Sequence, residues 1–180
     1  MKTGLILEGG AVRGIFTAGV LDRLMENGIY YPYVCGVSAG GGNAMSYVSR
    51  QIGRTARQIN APKSESYFGF KQFVEVHLDK MAFEYPYKQF PFDFDTYFKS
   101  GIDVEYACTC CETGKAEFFS ESSDEQKLLT IVKATCSVPM LCDPVEINGK
   151  HYLDGSIADS IPIQHALDMG CDRVVIVMTK

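Results

Sequence analysis

Residues 33–40 read Tyr-Val-Cys-Gly-Val-Ser-Ala-Gly, and this stretch decides the fold that the sequence predicts. Its first five residues are apolar or small and predict a buried strand, and the residues from Ala39 to about Ile52 predict a helix. The pattern Gly-x-Ser-x-Gly is typical of a sharp strand-to-helix turn that exposes a serine at its apex. Ser38 is therefore a candidate nucleophile. The small neighbours of this nucleophile elbow are Gly36, Ala39 and Gly40.

Strands and helices alternate on both sides of this stretch, which favours a parallel α/β layer. Gly4–Glu8 predicts a buried strand, and the wholly apolar Val174–Met178 predicts a last, central one. The other predicted elements are a helix over Ile15–Asn27 closed by Gly28, strands at Val104–Cys111 and Ala116–Phe119, a helix opened by a capping box at Ser123 and running to about Thr135, a hairpin turning at Asn148-Gly149 between Val145–Ile147 and Lys150–Leu153, and a helix over Ile163–Met169 closed by Gly170.

Length and charge limit the classes of function. The chain has 180 residues, a net charge of −5 and a pI near 5.2, which suits one globular domain over residues 1–180. No run of Lys or Arg is present, so nucleic-acid binding and adsorption to anionic lipid are not indicated. No segment is long and apolar enough to span a bilayer, and the N-terminal apolar run is too short for a signal peptide. The expected location is therefore the cytoplasm.

Seven cysteines form an odd set without the spacing of a disulfide framework. Cys108, Cys110 and Cys111 cluster, but no second pair at metal-ligand spacing accompanies them. Reduced and mostly buried thiols are the favoured interpretation, and a zinc site is the weaker alternative. No cofactor, metal or calcium loop is expected.

A glycine-rich turn, Gly-Gly-Ala-Val-Arg-Gly at residues 9–14, follows the first strand and opens a helix. One interpretation is a dinucleotide-binding fingerprint, but Ala11 stands where that motif needs glycine, and no acidic residue ends the next strand. The second is an oxyanion hole, in which consecutive amides point at a developing negative charge. A purely structural turn is the third. The candidate oxyanion residues are Gly9, Gly10, Ala11, Val12, Arg13 and Gly14.

A nucleophilic serine needs a base. Histidine is the usual one, and the sequence offers His77, His151 and His165, none of them in a recognisable loop after a strand. Asp154 is better placed, because it ends a strand and is followed by Gly155 and Ser156, which allow a tight turn. The alternative role for Asp154 is to cap that turn.

Residues 60–100 are crowded with aromatic side chains and interrupted by two prolines. We interpret this stretch as an irregular insertion packed over one end of the sheet. It forms either a peripheral part of the core or an apolar pocket or lid for an acyl chain.

Four separated motifs give the sequence a family resemblance. Residues 5–14, residues 36–40, residues 134–139 (Ala-Thr-Cys-Ser-Val-Pro) and the pair Asp154-Gly155 together resemble the patatin-like phospholipase family over almost the whole chain, and residues 5–21 resemble its bacterial branch. The resemblance implies a three-layer α/β/α fold with a mainly parallel central sheet. It also implies a Ser38–Asp154 dyad without catalytic histidine, and Arg13 either fixing the oxyanion turn or meeting an anionic head group.

The implied activity is hydrolysis of lipid esters of the phospholipase A or lysophospholipase type, through an acyl-enzyme. The substrate is expected to be a lipid or acyl ester, with transient membrane contact and oligomeric state left open. A soluble esterase or thioesterase is one alternative, and a catalytically silent lipid-binding domain is another.

Two departures from the family pattern are Ala11, where glycine is common, and Ser156, whose hydroxyl is expected to lower the basicity of Asp154 if it hydrogen-bonds the carboxylate. Relatives usually continue beyond the last strand, so a shortened or minimal member is also expected.

Overall fold

A computed structural model describes residues 1–60 and 90–179 of the chain. The strands are β1 (Thr3–Leu7), β2 (Tyr33–Val37), β3 (Asp103–Cys110), β4 (Ala116–Phe119), β5 (Val145–Ile147), β6 (Lys150–Asp154) and β7 (Arg173–Val177). The helices are α1 (Gly14–Glu26), α2 (Ala39–Val48), α3 (Arg54–Asn60), α4 (Phe94–Phe98), α5 (Glu125–Thr135) and α6 (Ile163–Asp168), with single 3₁₀ turns at Ala11–Arg13 and Gly155–Ile157.

The described strands form one mainly parallel sheet. Its order is β5-β6-β3-β2-β1-β7, and β4 pairs with β3 outside this path. The pairs β7–β1, β1–β2 and β2–β3 are parallel, whereas β4, β5 and β6 run antiparallel to their partners. The predicted hairpin is present, with Asn148 and Gly149 both in the left-handed region that its two-residue turn requires.

Strand β3 brings the ends of two distant strands together. Its first part pairs with β2 as far as Ala107, which faces Val37, and its last part pairs with β6 from Cys108, which faces Asp154. Strand β4 pairs with these same residues of β3 and so occupies the opposite edge. Strands β2 and β6 therefore follow one another along a single edge, and Ser38, directly after β2, meets Asp154 at the end of β6.

Helices cover both faces of the sheet, which confirms the three-layer α/β/α class. Successive residues of a strand point to opposite faces. Leu5 and Leu7 of β1 pack into the larger core with buried residues of α1, α2 and α5, whereas Ile6 packs on the other face against Ala166 of α6. All three strand residues are fully buried.

The last strand corrects one prediction. Strand β7 pairs with β1 alone among the described strands, so it lies at an edge of the described sheet and not at its centre. Its side chains alternate between more and less exposed, and Val175 is 36% exposed. An all-apolar sequence favours burial on both faces, but the described residues cover one face of β7 more fully than the other.

Three helix predictions also need correction. The helix predicted over Ile15–Asn27 begins at Gly14 and ends at Glu26, and Ile15 is 38% exposed because α1 turns Thr17 and Ala18 to the core. Helix α2 ends at Val48 and not at Ile52. Arg50, two residues after the end of the helix, has a left-handed conformation. Helix α5 is capped by Asp124, whose carboxylate accepts from the amide of Lys127 at 3.0 Å, and not by Ser123.

The aromatic stretch is described only in part. Residues 61–89 lie outside the described residues, and the predicted acyl-chain pocket or lid falls largely on them. Tyr97 of α4 is buried in the larger core, where its hydroxyl is 2.9 Å from that of Tyr106 on β3. Phe92, Phe94 and Phe98 pack against this same core. The end of the stretch is therefore part of the core.

Candidate active site

Ser38 lies at the turn between β2 and α2 in a strained conformation, with φ 53° and ψ −126°. Such a backbone persists only where its surroundings enforce it. Here the turn is closed by the amide of Gly41, which donates to the Ser38 carbonyl at 2.8 Å. The close packing allows no side chain at Gly36, whose added Cβ would lie 2.7 Å from Gly41 Cα. This geometry is that of a nucleophile elbow.

Asp154 ends β6, and its carboxylate contacts the hydroxyl of Ser38 directly. Ser38 Oγ donates to Asp154 Oδ2 at 2.6 Å, across 116 residues of sequence, and both residues are buried. The other carboxylate oxygen, Oδ1, accepts from the amide of Ser156 at 2.8 Å. The loop turns tightly because Gly155 passes against the carbonyl of Ala107, where a Cβ would overlap the oxygen. The carboxylate is therefore fixed in rotation and aimed at the serine hydroxyl.

The glycine-rich turn lies on the other side of Ser38. An added Cβ on Gly9 would lie 2.9 Å from Ser38 Cβ, so the turn and the elbow are in van der Waals contact. The turn closes through Arg13 N–H, which donates to Gly10 O at 2.9 Å. Within the described residues, no backbone carbonyl accepts from the amides of Gly10 and Ala11. Both residues line the cleft beside Ser38, which makes these two amides candidates for binding an anion there.

Ala11, the first departure from the family pattern, has φ 48° and keeps its amide. The left-handed conformation costs a residue with a Cβ about 1 kcal/mol and a glycine nothing. The structure therefore explains the family's preference for glycine here, and the amide that an oxyanion hole needs is still present.

Ser156, the second departure, behaves differently from the expectation. Among the described contacts, the backbone amide of Ser156 and not its hydroxyl donates to Asp154, and every residue except proline offers such an amide. The hydroxyl lies toward the glycine turn, 2.6 Å from the position of a Cβ added to Gly9.

A buried acid, to which no sequence pattern pointed, holds the glycine turn against the residues that follow β7. Glu8 is 4% exposed, and its Oε2 accepts from the amide of Thr179 at 2.7 Å. Thr179 Oγ1 in turn donates to Gly9 O at 2.5 Å. Glu8 falls inside the resemblance at residues 5–14, but Thr179 follows the last strand with no sequence signal to mark it.

Two threonines hold the elbow and the base loop, and sequence reasoning missed both. Thr135 Oγ1 accepts from Ser38 N–H at 3.0 Å and donates to Ala107 O at 2.5 Å. Thr109 Oγ1 donates to Asp154 O at 2.8 Å. Both threonines are buried, so water is not available to these groups as an alternative hydrogen-bond partner. Thr135 lies inside the motif at residues 134–139, and this motif is the signal that could have indicated it.

Replacing Thr135 by Val is expected to lower kcat for ester hydrolysis about tenfold with little change in KM. The isosteric change removes the acceptor of Ser38 N–H and one donor to Ala107 C=O, which costs about 1–3 kcal/mol of stability and loosens the elbow. Thr17→Val is the matched control, because Thr17 Oγ1 is also buried but has no hydrogen-bond partner within the described residues. Thermal unfolding should show the control equally or more stable; equal destabilisation of both variants would contradict the role of Thr135.

A thiol also contacts the elbow. Cys136 Sγ donates to the Ser38 carbonyl at 3.1 Å. Burial, and after it the nearby Asp154 carboxylate, raises the pKa of this thiol well above its usual range. Cys136 therefore stays protonated and donates this hydrogen bond. A protonated thiol does not compete with Ser38 as nucleophile, because the thiolate is the nucleophilic form of cysteine.

The histidines are engaged elsewhere where the structure describes them. His165 Nε2 is 2.7 Å from Glu105 Oε2, and His151 Nδ1 is 3.4 Å from Glu112 Oε1. His77 lies outside the described residues. Within residues 1–60 and 90–179, no group of three or more His, Cys, Asp or Glu side chains is arranged to hold a metal ion.

The elbow, the loop after β6 and the glycine-rich turn border one cleft of about 590 Å³. Its lining includes Ser38, Asp154, Gly10, Ala11, Arg13 and Ser156. Arg13 is exposed and has no ion pair within the described residues, so its guanidinium is available to an anion at the cleft. The arrangement brings a hydroxyl, a carboxylate and unpaired amides around one space, as acyl transfer requires.

A family model described as patatin-like phospholipase matches residues 5–110 and 111–167. The chain belongs to this family. Across 99% of its length it is 31% identical to YjjU, an uncharacterized protein of Escherichia coli (strain K12), of which the alignment covers 52%. It is 26% identical to the lysophospholipase NTE1 of Candida glabrata, over 95% of this chain and 10% of NTE1. The patatin-like chain thus spans about half the length of YjjU and a tenth of NTE1.

The fold is also similar to a solved structure, that of VipD from Legionella pneumophila. The TM-score is 0.63 at 17% identity, over 97% of this chain and 49% of VipD. At that identity the likeness concerns the fold alone. None of the helices described for this patatin-like chain has the length and hydrophobicity of a transmembrane segment.

Proposed function

We propose that this chain is a serine acyl hydrolase that cleaves ester bonds of lipids through a Ser38–Asp154 dyad. The observation that carries the proposal is the 2.6 Å hydrogen bond from Ser38 Oγ to Asp154 Oδ2, formed beside unpaired amides in a cleft. Membership of the patatin-like phospholipase family supports the lipid ester as substrate.

In the first half-reaction, Asp154 accepts the Ser38 proton as Oγ attacks the ester carbonyl carbon. The carbonyl oxygen becomes negative and is stabilised by the amides of Gly10 and Ala11, together with the N-terminal end of α2. The C–O bond to the alcohol then breaks, and Asp154 returns the proton to the departing oxygen. The products of this step are an alcohol or lysolipid and an acyl ester on Ser38.

In the second half-reaction, water replaces the alcohol. Asp154 takes a proton from this water, which attacks the acyl carbon, and the same amides bind the new oxyanion. The bond to Ser38 Oγ breaks, and Oγ recovers the proton from Asp154. A free fatty acid leaves, and the dyad returns to its starting state without a metal or cofactor taking part.

Labelling with a long-chain fluorophosphonate tests the proposal, because only an activated serine reacts. We expect one adduct per chain, located at Ser38 by mass spectrometry of its peptides, at neutral pH. Prior incubation with a soluble long-chain ester should slow the labelling. An adduct on another serine, or a folded chain that takes no label, would favour a lipid-binding domain instead, and a preference for short acyl chains would favour a soluble esterase.

A further inference from the structure

An apolar surface surrounds the mouth of the cleft, and three separate segments contribute to it. We call it the mouth surface; its members are Val12, Phe16, Val138, Met140, Leu141 and Ile157, all exposed. Val12, Val138 and Ile157 line the same cleft as Ser38. The other members lie within four residues of these along the chain. Single exposed apolar side chains are normal on proteins, but a group around one cleft indicates a binding surface.

The same segments are almost free of charge. Residues 9–21, 134–142 and 155–158 contain one charged side chain, Arg13, although 22% of the chain is charged and acids outnumber bases by 22 to 17. The mouth surface is therefore apolar with one cation in its segments, and carboxylates follow those segments directly at Asp22, Asp143 and Asp159, on a protein whose net charge is −5.

Folding gives no reason for the most exposed member of this surface. The side chain of Met140 is fully exposed, and its backbone has φ 67°, a left-handed conformation in which glycine or asparagine is more stable. Met140 thus contributes strain and no burial to the folded chain. Within the described residues nothing covers its apolar side chain, which gains free energy if a further apolar surface does so.

We propose that the mouth surface docks on the interface of a zwitterionic phospholipid bilayer, so that a lipid ester enters the cleft from the membrane. The proposal extends the function proposed above by naming how the substrate is presented. Interfaces between proteins contain roughly one hydrogen bond per 100–200 Å². The side chains of the mouth segments offer few polar groups to form such bonds. A lipid surface makes no such demand.

Charge decides which lipid surface fits. Arg13, at the cleft, matches the phosphate of a head group, but the net charge of −5 repels an anionic membrane. Apolar insertion is therefore the driving force, as it is for amphipathic surfaces that lie in the interface. Binding should persist at high salt and should not require anionic lipid.

Sedimentation with phosphatidylcholine vesicles tests the docking. The protein carries Ser38→Ala, so the lipid stays intact, and Met140→Ser/Leu141→Ser is compared with the matched pair Leu167→Ser/Met169→Ser. Leu167 and Met169 are 42% exposed but lie beside the start of β1, at the opposite end of the sheet from the cleft. We expect the mouth pair to lower the partition coefficient at least about tenfold and the control pair to leave it unchanged.

A second pair, Val12→Ser/Phe16→Ser, extends the test to another segment and should also lose binding. Equal binding by the mouth and control pairs, binding only to anionic vesicles at low salt, or a dimer that disappears in the mouth pair would each overturn the proposal. Hydrolysis of a water-soluble ester by the unsubstituted chain tests the proposed function separately. Its absence alongside vesicle binding would refute the hydrolase and leave the docking intact.

Discussion

Replacing Asp154 with Asn is expected to lower the rate of ester hydrolysis roughly 10³-fold while the chain stays folded. An amide cannot accept the Ser38 proton at neutral pH, so Oγ loses its base. The fold should survive because the amide oxygen of Asn can still accept from Ser156 N–H, as Oδ1 does now at 2.8 Å. Its NH₂ group then faces Ser38 Oγ, where the carboxylate accepted at 2.6 Å.

The measurement is kcat/KM for a soluble ester, with unfolding followed in urea. Asp159→Asn is the matched control: this acid lies five residues further on, and its Oδ1 accepts from Ile161 N–H at 3.2 Å. We expect the control to keep its activity and Ser38→Ala to set the background rate. If Asp154→Asn retained more than about a tenth of the activity, the proton would have to go to another group, and the dyad assignment would be wrong.

The elbow was predictable because its requirements are local. A strand that turns sharply into a helix needs small residues around a strained apex, and Gly36, Ala39 and Gly40 supply them within five positions of sequence. Strand β2 was predicted with its observed bounds for a related reason: its residues are buried on both faces, so a continuous apolar run marks the whole strand.

The pairing of Ser38 with Asp154 was not predictable from the residues themselves, and it was the family resemblance that indicated it. The two meet because β2 and β6 occupy successive positions along one edge of β3, with Val37 opposite Ala107 and Asp154 opposite Cys108. Such register joins segments more than a hundred residues apart and depends on contacts that no local pattern encodes.

The supporting hydrogen bonds were missed for the same reason. Thr135 reaches back 97 residues to Ser38, and Thr179 reaches back 171 residues to Glu8. A threonine or a glutamate near a strand end is common on a protein surface, and burial is what gives these their role. The edge position of β7 likewise depends on which strands pair with it, although its sequence is as apolar as that of a central strand.

Gly40→Ala is expected to lower the free energy of unfolding by about 3 kcal/mol and to abolish measurable ester hydrolysis. A Cβ on Gly40 would overlap the carbonyl oxygen of Leu7 at the end of β1. Both atoms belong to backbone, so no rotamer change relieves the contact, and α2 must move away from β1. Because the glycine turn follows β1 and Ser38 precedes α2, that movement separates the nucleophile from the amides of Gly10 and Ala11.

Gly42→Ala is the matched control from the same helix. A Cβ on Gly42 meets no atom within 4 Å, so alanine here should raise stability by about 0.8 kcal/mol through helix propensity alone. Thermal unfolding should therefore show Gly40→Ala lower in Tm by roughly 6–12 °C and Gly42→Ala slightly higher. Equal Tm values would mean that α2 tolerates a side chain against β1, and the close approach that brings Ser38 to the glycine turn would then not limit activity.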